Sequence, residues 1–159
     1  MHIRYAVVSL SLAIIPATCA RFHITDSFKG HDFLDGFNWA TSDDPTHGRV
    51  NFVDQSTALK SNLSFGTYAR FDRWNPCLLT FLSASGDKFI MRADHSKVVS
   101  TGDRGRDSVR IISQKAWDDS TIVLDLAHMP EGCATWPAFW TLSHAGPWPH
   151  GGEIDIIEG

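Results

Sequence analysis

Residues 151–159, GGEIDIIEG, constrain this chain more than any other stretch. The isoleucines at 154, 156 and 157 favour a strand, and a strand sends successive side chains to opposite faces. Glu153 and Asp155 then share a face, whereas Glu158 falls on the other side of a regular strand. One extra residue, a β-bulge at Ile156-Ile157, restores the parity and brings Glu158 back beside the other two. The expectation is a bulged strand with three carboxylates on one face. The competing reading is a solvated acidic face over a core of Ile154, Ile156 and Ile157.

The rest of the chain agrees with an all-β class. Candidate strands lie at 50–53, 89–93, 108–113, 121–127 and 152–157, each short, β-branched or aromatic, and bounded by turn residues. Asp43-Asp44-Pro45, Ser85-Gly86-Asp87 and Gly102-Asp103-Arg104-Gly105 supply the turns. No segment keeps a 3.6-residue apolar period over three turns, so a β-sandwich is expected.

Residues 1–20 read as a secretory leader: positive charge up to Arg4, an apolar run over 5–15, then small residues ending at Cys19-Ala20. The run is too short to span a bilayer, which takes roughly 20 apolar residues. A secreted, extracellular protein without a membrane span is expected, as a monomer. Losing Arg4 moves the formal charge from −4 to −5, and no basic stripe marks a nucleic-acid partner. Residues 21–159 form one small domain holding Cys77 and Cys133, which either pair or await other partners. Asn62-Leu63-Ser64 is an N-glycosylation sequon.

Paired carboxylates on one face suit glycosidic bond cleavage. With the bulge absorbing one residue, the Cα atoms of Glu153 and Glu158 lie about 13 Å apart at roughly 3.3 Å per step. Side chains leaning together close this towards the ~5–5.5 Å of retaining glycosidases rather than the ~6.5–9.5 Å of inverting ones. Three neighbouring carboxylates repel, so a raised pKa is expected within the set, with Asp155 as modulator and Glu158 as the acid. Trp136, Phe139, Trp140 and Trp148 precede the strand, and flat indoles stack on sugar rings. A metal site from His144, His150, Glu153 and Asp155 lacks a compact histidine pair. A serine nucleophile lacks G-x-S-x-G. No cofactor is called for.

GGEIDIIEG preceded by GCATWPAFWTL resembles the active-site signature of glycoside hydrolase family 16, in the branch of the fungal endo-1,3(4)-β-glucanases or laminarinases. DPTHGRVNFVDQSTALKSNLSF, ASGDKFIMRADH and RDSVRI extend the resemblance over most of residues 21–159. It implies a concanavalin-like β-jelly-roll with a glycan cleft and retaining double displacement on β-1,3 or mixed β-1,3/1,4-glucans. Carried over by position, Glu153 resembles the nucleophile, Asp155 the assisting acid and Glu158 the acid/base. Trp136, Trp140 and Trp148 match aromatic positions near the cleft, and Asn51 and Arg110 match positions of sugar contact. The alternatives are a glycan-binding module that has lost catalysis, and a transglycosylase using the same two acids. A pure binder has no need of both Glu153 and Glu158.

Two departures from the family pattern carry expectations. Family domains run well beyond the equivalent of Gly159, so the chain is expected to be an incomplete jelly-roll, its N-terminal half, inactive alone. Residues 66–83 (GTYARFDRWNPCLLTFLS) interrupt a pattern that would join NLSF to ASGDKFIMRADH. Gly66-Thr67-Tyr68 can be encoded with a splice-donor-like sequence and Leu79-Thr80 with a branch-point-like one, so a retained intron is expected; a genuine loop insertion is the other reading. On the intron reading Cys77 is not structural and Cys133 wants another partner. A transcript spanning this region is expected to run from Phe65 directly to Ala84, and one that keeps codons 66–83 excludes the intron.

Overall fold

Most of the β-branched and aromatic clusters form strands, each held by one neighbour. The computed structural model describes residues 21–65 and 88–159. The expected leader, the 66–83 segment and Cys77 lie outside the described residues. In chain order the elements are α1 (Asp32–Asp35), β1 (Phe37–Trp39), β2 (Asn51–Phe52), α2 (Gln55–Lys60) and β3 (Ser64–Phe65). Then follow β4 (Ile90–Met91), β5 (Asp107–Ser108), β6 (Ile111–Ser113), β7 (Ala138–Leu142) and β8 (Glu153–Glu158). They pair as β1–β6, β3–β4 and β7–β8 antiparallel, and β2–β5 parallel.

Aromatic side chains bind the N-terminal part together. The Phe33 ring stacks on Phe89 at 4.7 Å and on Phe37 at 5.0 Å, and Phe28 meets Phe37 edge-on at 5.1 Å. Offset and edge-on contacts of this kind suit the charge distribution of the rings. Gly36 sits where a side chain's first carbon would come within 2.7 Å of the Phe28 ring. Asp26 ties down the incoming chain, accepting from Trp117 Nε1 at 2.8 Å and Lys115 Nζ at 2.6 Å.

A second, aliphatic core lies beneath α2. Ala58, Leu63, Val53 and Val109 are buried, with Trp39 and Ile111 packed against them. Asp54 caps α2 by accepting the Thr57 N–H at 2.7 Å, which satisfies one of the free donors of the first turn. Both helices are shorter than three turns, so no apolar period could announce them.

The expected strand at 108–113 is divided into β5 and β6, which pair with different partners. Its first part pairs with β2 and its last with β1, Val53 N–H donating to Ser108 O at 3.1 Å and Ala40 N–H to Arg110 O at 3.0 Å. The expected strand at 121–127 is not formed. Ile122, Val123, Leu124 and Leu126 are exposed, and a β-rich segment becomes a strand only when a neighbour completes its ladder. Among the described residues none pairs with it, and no helix is long and apolar enough to cross a membrane.

Leu63 is 2% exposed, so Leu63→Ala is expected to destabilise the fold by about 2–5 kcal/mol, read as a lower urea midpoint with unchanged slope. Among the described residues four aspartates are held below their usual value of 3.8: Asp26 by Lys115 and Trp117, Asp44 by the Thr46 backbone, Asp54 by the Thr57 backbone, Asp94 by Ser96. A carboxyl with a lowered folded pKa stabilises fully above its unfolded value and loses that contribution as pH falls through the folded value. The urea midpoint is therefore expected to hold from neutral pH to just above 4 and to fall below it, with a smaller fall in Asp94→Asn.

Candidate active site

The β7–β8 hairpin fixes where the carboxylates point. Along β7, Ala138, Trp140 and Leu142 share a face by simple alternation. Their partners across the ladder are Glu158, Asp155 and Glu153, and residues directly opposite lie on the same face. Phe139 pairs with Ile157 and Thr141 with Ile154 on the other face, leaving Ile156 without a partner. Ile156 is the extra residue of a bulge, within the Ile156-Ile157 step that parity demands. Glu153, Asp155 and Glu158 thus line one face, all three exposed.

The connection from β7 to β8 delivers an indole to this face. Ser143 N–H donates to Gly152 O at 3.0 Å, and His150 N–H to Pro147 O at 2.9 Å, folding residues 143–152 into a tight loop. Gly151 passes so close to Ser143 that an added carbon would lie 2.5 Å from its Cβ. Trp148 is thereby placed to donate its Nε1–H to Glu153 Oε2 at 2.6 Å. A charge-assisted bond of this length fixes one carboxylate oxygen and leaves the other open. Sequence reading singled out Trp148 as a stacking surface and missed this donor role, which depends on the loop's closure.

Arg110 flanks the same face. Its guanidinium lies 5.1 Å from the Trp140 ring centre and 5.7 Å from that of Phe52, both within cation–π reach. Its Nε is buried without a hydrogen-bond partner among the described residues, a donor that a bound polar group would satisfy. Phe52 was not expected at the site. Asp44 was not either, although the Arg110 charge is among the causes that lower its carboxyl.

The other expected residues lie differently. Asn51 gives its amide to Asp107 Oδ1 at 2.5 Å across the β2–β5 pair. Trp136 is 61% exposed on the approach to β7. Asn62 is exposed beyond α2, and Cys133 is exposed and free. Among the described residues no group of three or more His, Cys, Asp or Glu converges to hold a metal.

Comparisons with known proteins agree on one family. The family described as the XgeA-like, catalytic GH16 domain matches residues 37–159. A probable endo-1,3(4)-β-glucanase of Aspergillus niger is 39% identical over 153 residues, covering 96% of this chain and 18% of that protein. A probable glycosidase of Schizosaccharomyces pombe is 38% identical over 138 residues, covering 87% and 27%. Laminarinase 16A of Phanerochaete chrysosporium, solved with 6-O-glucosyl-laminaritriose in donor and acceptor sites, superimposes with a TM-score of 0.71. It is 44% identical over 86% of this chain and 40% of its own. An elongating family 16 β-1,3-glucosyltransferase gives 0.70 at 37% identity, covering 85% and 39%. The chain spans about a fifth to a quarter of the length of the two curated relatives. The match over residues 37–159 and the fold shared with a laminarinase make this chain a member of glycoside hydrolase family 16, built on that family's β-jelly-roll.

Proposed function

We propose that the protein carrying this chain is a secreted, monomeric endo-β-glucanase that cleaves β-1,3 or mixed β-1,3/1,4-glucans with retention of configuration. The observation that carries this reading is the bulged register, which sets Glu153, Asp155 and Glu158 on one face with Trp148 donating to Glu153. Glu153 attacks the anomeric carbon while Glu158 protonates the departing glycosidic oxygen, giving a covalent glycosyl-enzyme. Glu158 then takes a proton from water, which displaces Glu153 and releases a sugar of the original configuration. Asp155, between them on the face, assists the pair. Trp136, Trp140 and Trp148 offer surfaces for sugar rings, and the Arg110 Nε, without a partner among the described residues, suits a sugar hydroxyl.

The likeness to a β-1,3-glucosyltransferase favours a second reading, in which a sugar hydroxyl replaces water in the second step. Because the chain spans only part of its relatives, either activity is proposed for the protein that carries this domain in full.

In that protein, Glu153→Gln is expected to abolish laminarin and lichenan turnover while glucan binding persists; loss of both contradicts the nucleophile assignment. Trp148→Phe keeps the ring and removes the donor. A hydrogen bond to a charged group contributes about 1.5–3 kcal/mol, so kcat is expected to fall roughly 10- to 100-fold with KM little changed. NMR of the first product is expected to give the β-anomer, and oligosaccharides longer than the substrate select the transferase reading.

A further inference from the structure

The sequon residues Asn62, Leu63 and Ser64 have three different fates in the fold. Asn62 is exposed, past the end of α2, with φ at 58°, a left-handed conformation that asparagine tolerates. Leu63 is 2% exposed in the aliphatic core, its N–H donating to Ala58 O at 2.8 Å and its carbonyl accepting from Arg92 N–H at 2.8 Å. Ser64 is wholly buried in β3, its Oγ donating to Ile90 O of β4 at 2.9 Å.

We propose that Asn62 is an N-glycan acceptor only until β3 pairs with β4, so that folding itself closes the site to the transferase while leaving an attached glycan in solvent. The sequon specifies a hydroxyl two residues after the asparagine because the transferase must engage it together with the amide. In the folded chain that hydroxyl is reached only by breaking the β3–β4 pair and lifting Leu63 out of the core. Ile90 follows Ser64 by 26 positions, so the sequon stays open until that later segment is made and docks.

The transfer is a simple displacement. Asn62 Nδ2 bonds to the anomeric carbon of a lipid-pyrophosphate-linked oligosaccharide, and the bond from that carbon to the pyrophosphate oxygen breaks. The lipid pyrophosphate leaves with the electron pair, and the amide proton passes to the transferase. The product's Nδ2 remains on the exposed side of the α2–β3 connection. This inference rests on the secretion proposed above and not on the glucanase chemistry.

The test compares one chain before and after folding. The protein that carries this domain in full, with every sequon except that of Asn62 removed, is translated behind an established secretory leader in the presence of microsomes. The same protein, folded without glycan from bacteria, is offered to solubilised transferase with its lipid-linked donor. The nascent chain is expected to gain one amidase-sensitive glycan, and the folded chain to be modified at least tenfold more slowly. Asn62→Gly, which keeps the left-handed backbone, is expected to remove the glycan from the nascent chain. Equal modification of the two chains, no glycan on the nascent chain, or an amidase-sensitive glycan persisting in Asn62→Gly overturns the proposal.

Discussion

Six residues of β8 run against five of β7, and the site depends on how that mismatch is absorbed. If the surplus fell at the strand's end, Glu158 would face the opposite side from Glu153, beyond the reach of a common substrate. Placing it at Ile156, opposite the Phe139–Trp140 step, puts it between Asp155 and Glu158. Glu153 and Asp155 keep plain alternation, and only Glu158 is re-aimed. A bulge also sharpens the local twist, which turns Glu158 relative to the other two. The isoleucine that forms the bulge is itself exposed, so it is backbone pairing, more than side-chain burial, that sets the register.

Around that hairpin the fold distributes rigidity unevenly. Ring stacking among Phe28, Phe33, Phe37 and Phe89 and the small aliphatic cluster under α2 hold β1 to β6 as a packed body. The link from this body to the carboxylate face runs through Arg110, whose cation sits near both Phe52 and Trp140. The Arg110 Nε is buried without a hydrogen-bond partner among the described residues, and a buried donor left unpaired costs free energy.

The bulge and the three-carboxylate face are legible in the sequence because parity is arithmetic: Glu158 follows Glu153 by five positions, an odd step that needs one surplus residue to share its face. The all-β class was legible for a similar reason, in short β-branched runs between turn residues. The strand expected at 121–127 was misread because its composition suits a strand, whereas pairing is a property of the neighbour. The 108–113 stretch reads as one strand in the sequence because its change of partner leaves no mark in residue type. Trp148 was found as an aromatic and missed as a hydrogen-bond donor. Its approach to Glu153 is set by the closure of residues 143–152, which depends on loop geometry that residue types alone do not fix.

The same change of partner gives residues 107–113 the character of a ruler. Asp107 is registered against Asn51 in a parallel ladder, and Ile111 against Trp39 in an antiparallel one. The three residues between them include Val109, in the core, and Arg110, against Trp140. A substitution here alters one contact, but inserting or deleting a single residue slips one ladder against the other and exchanges the directions of Val109 and Arg110. Length is therefore a stricter requirement than composition in this stretch.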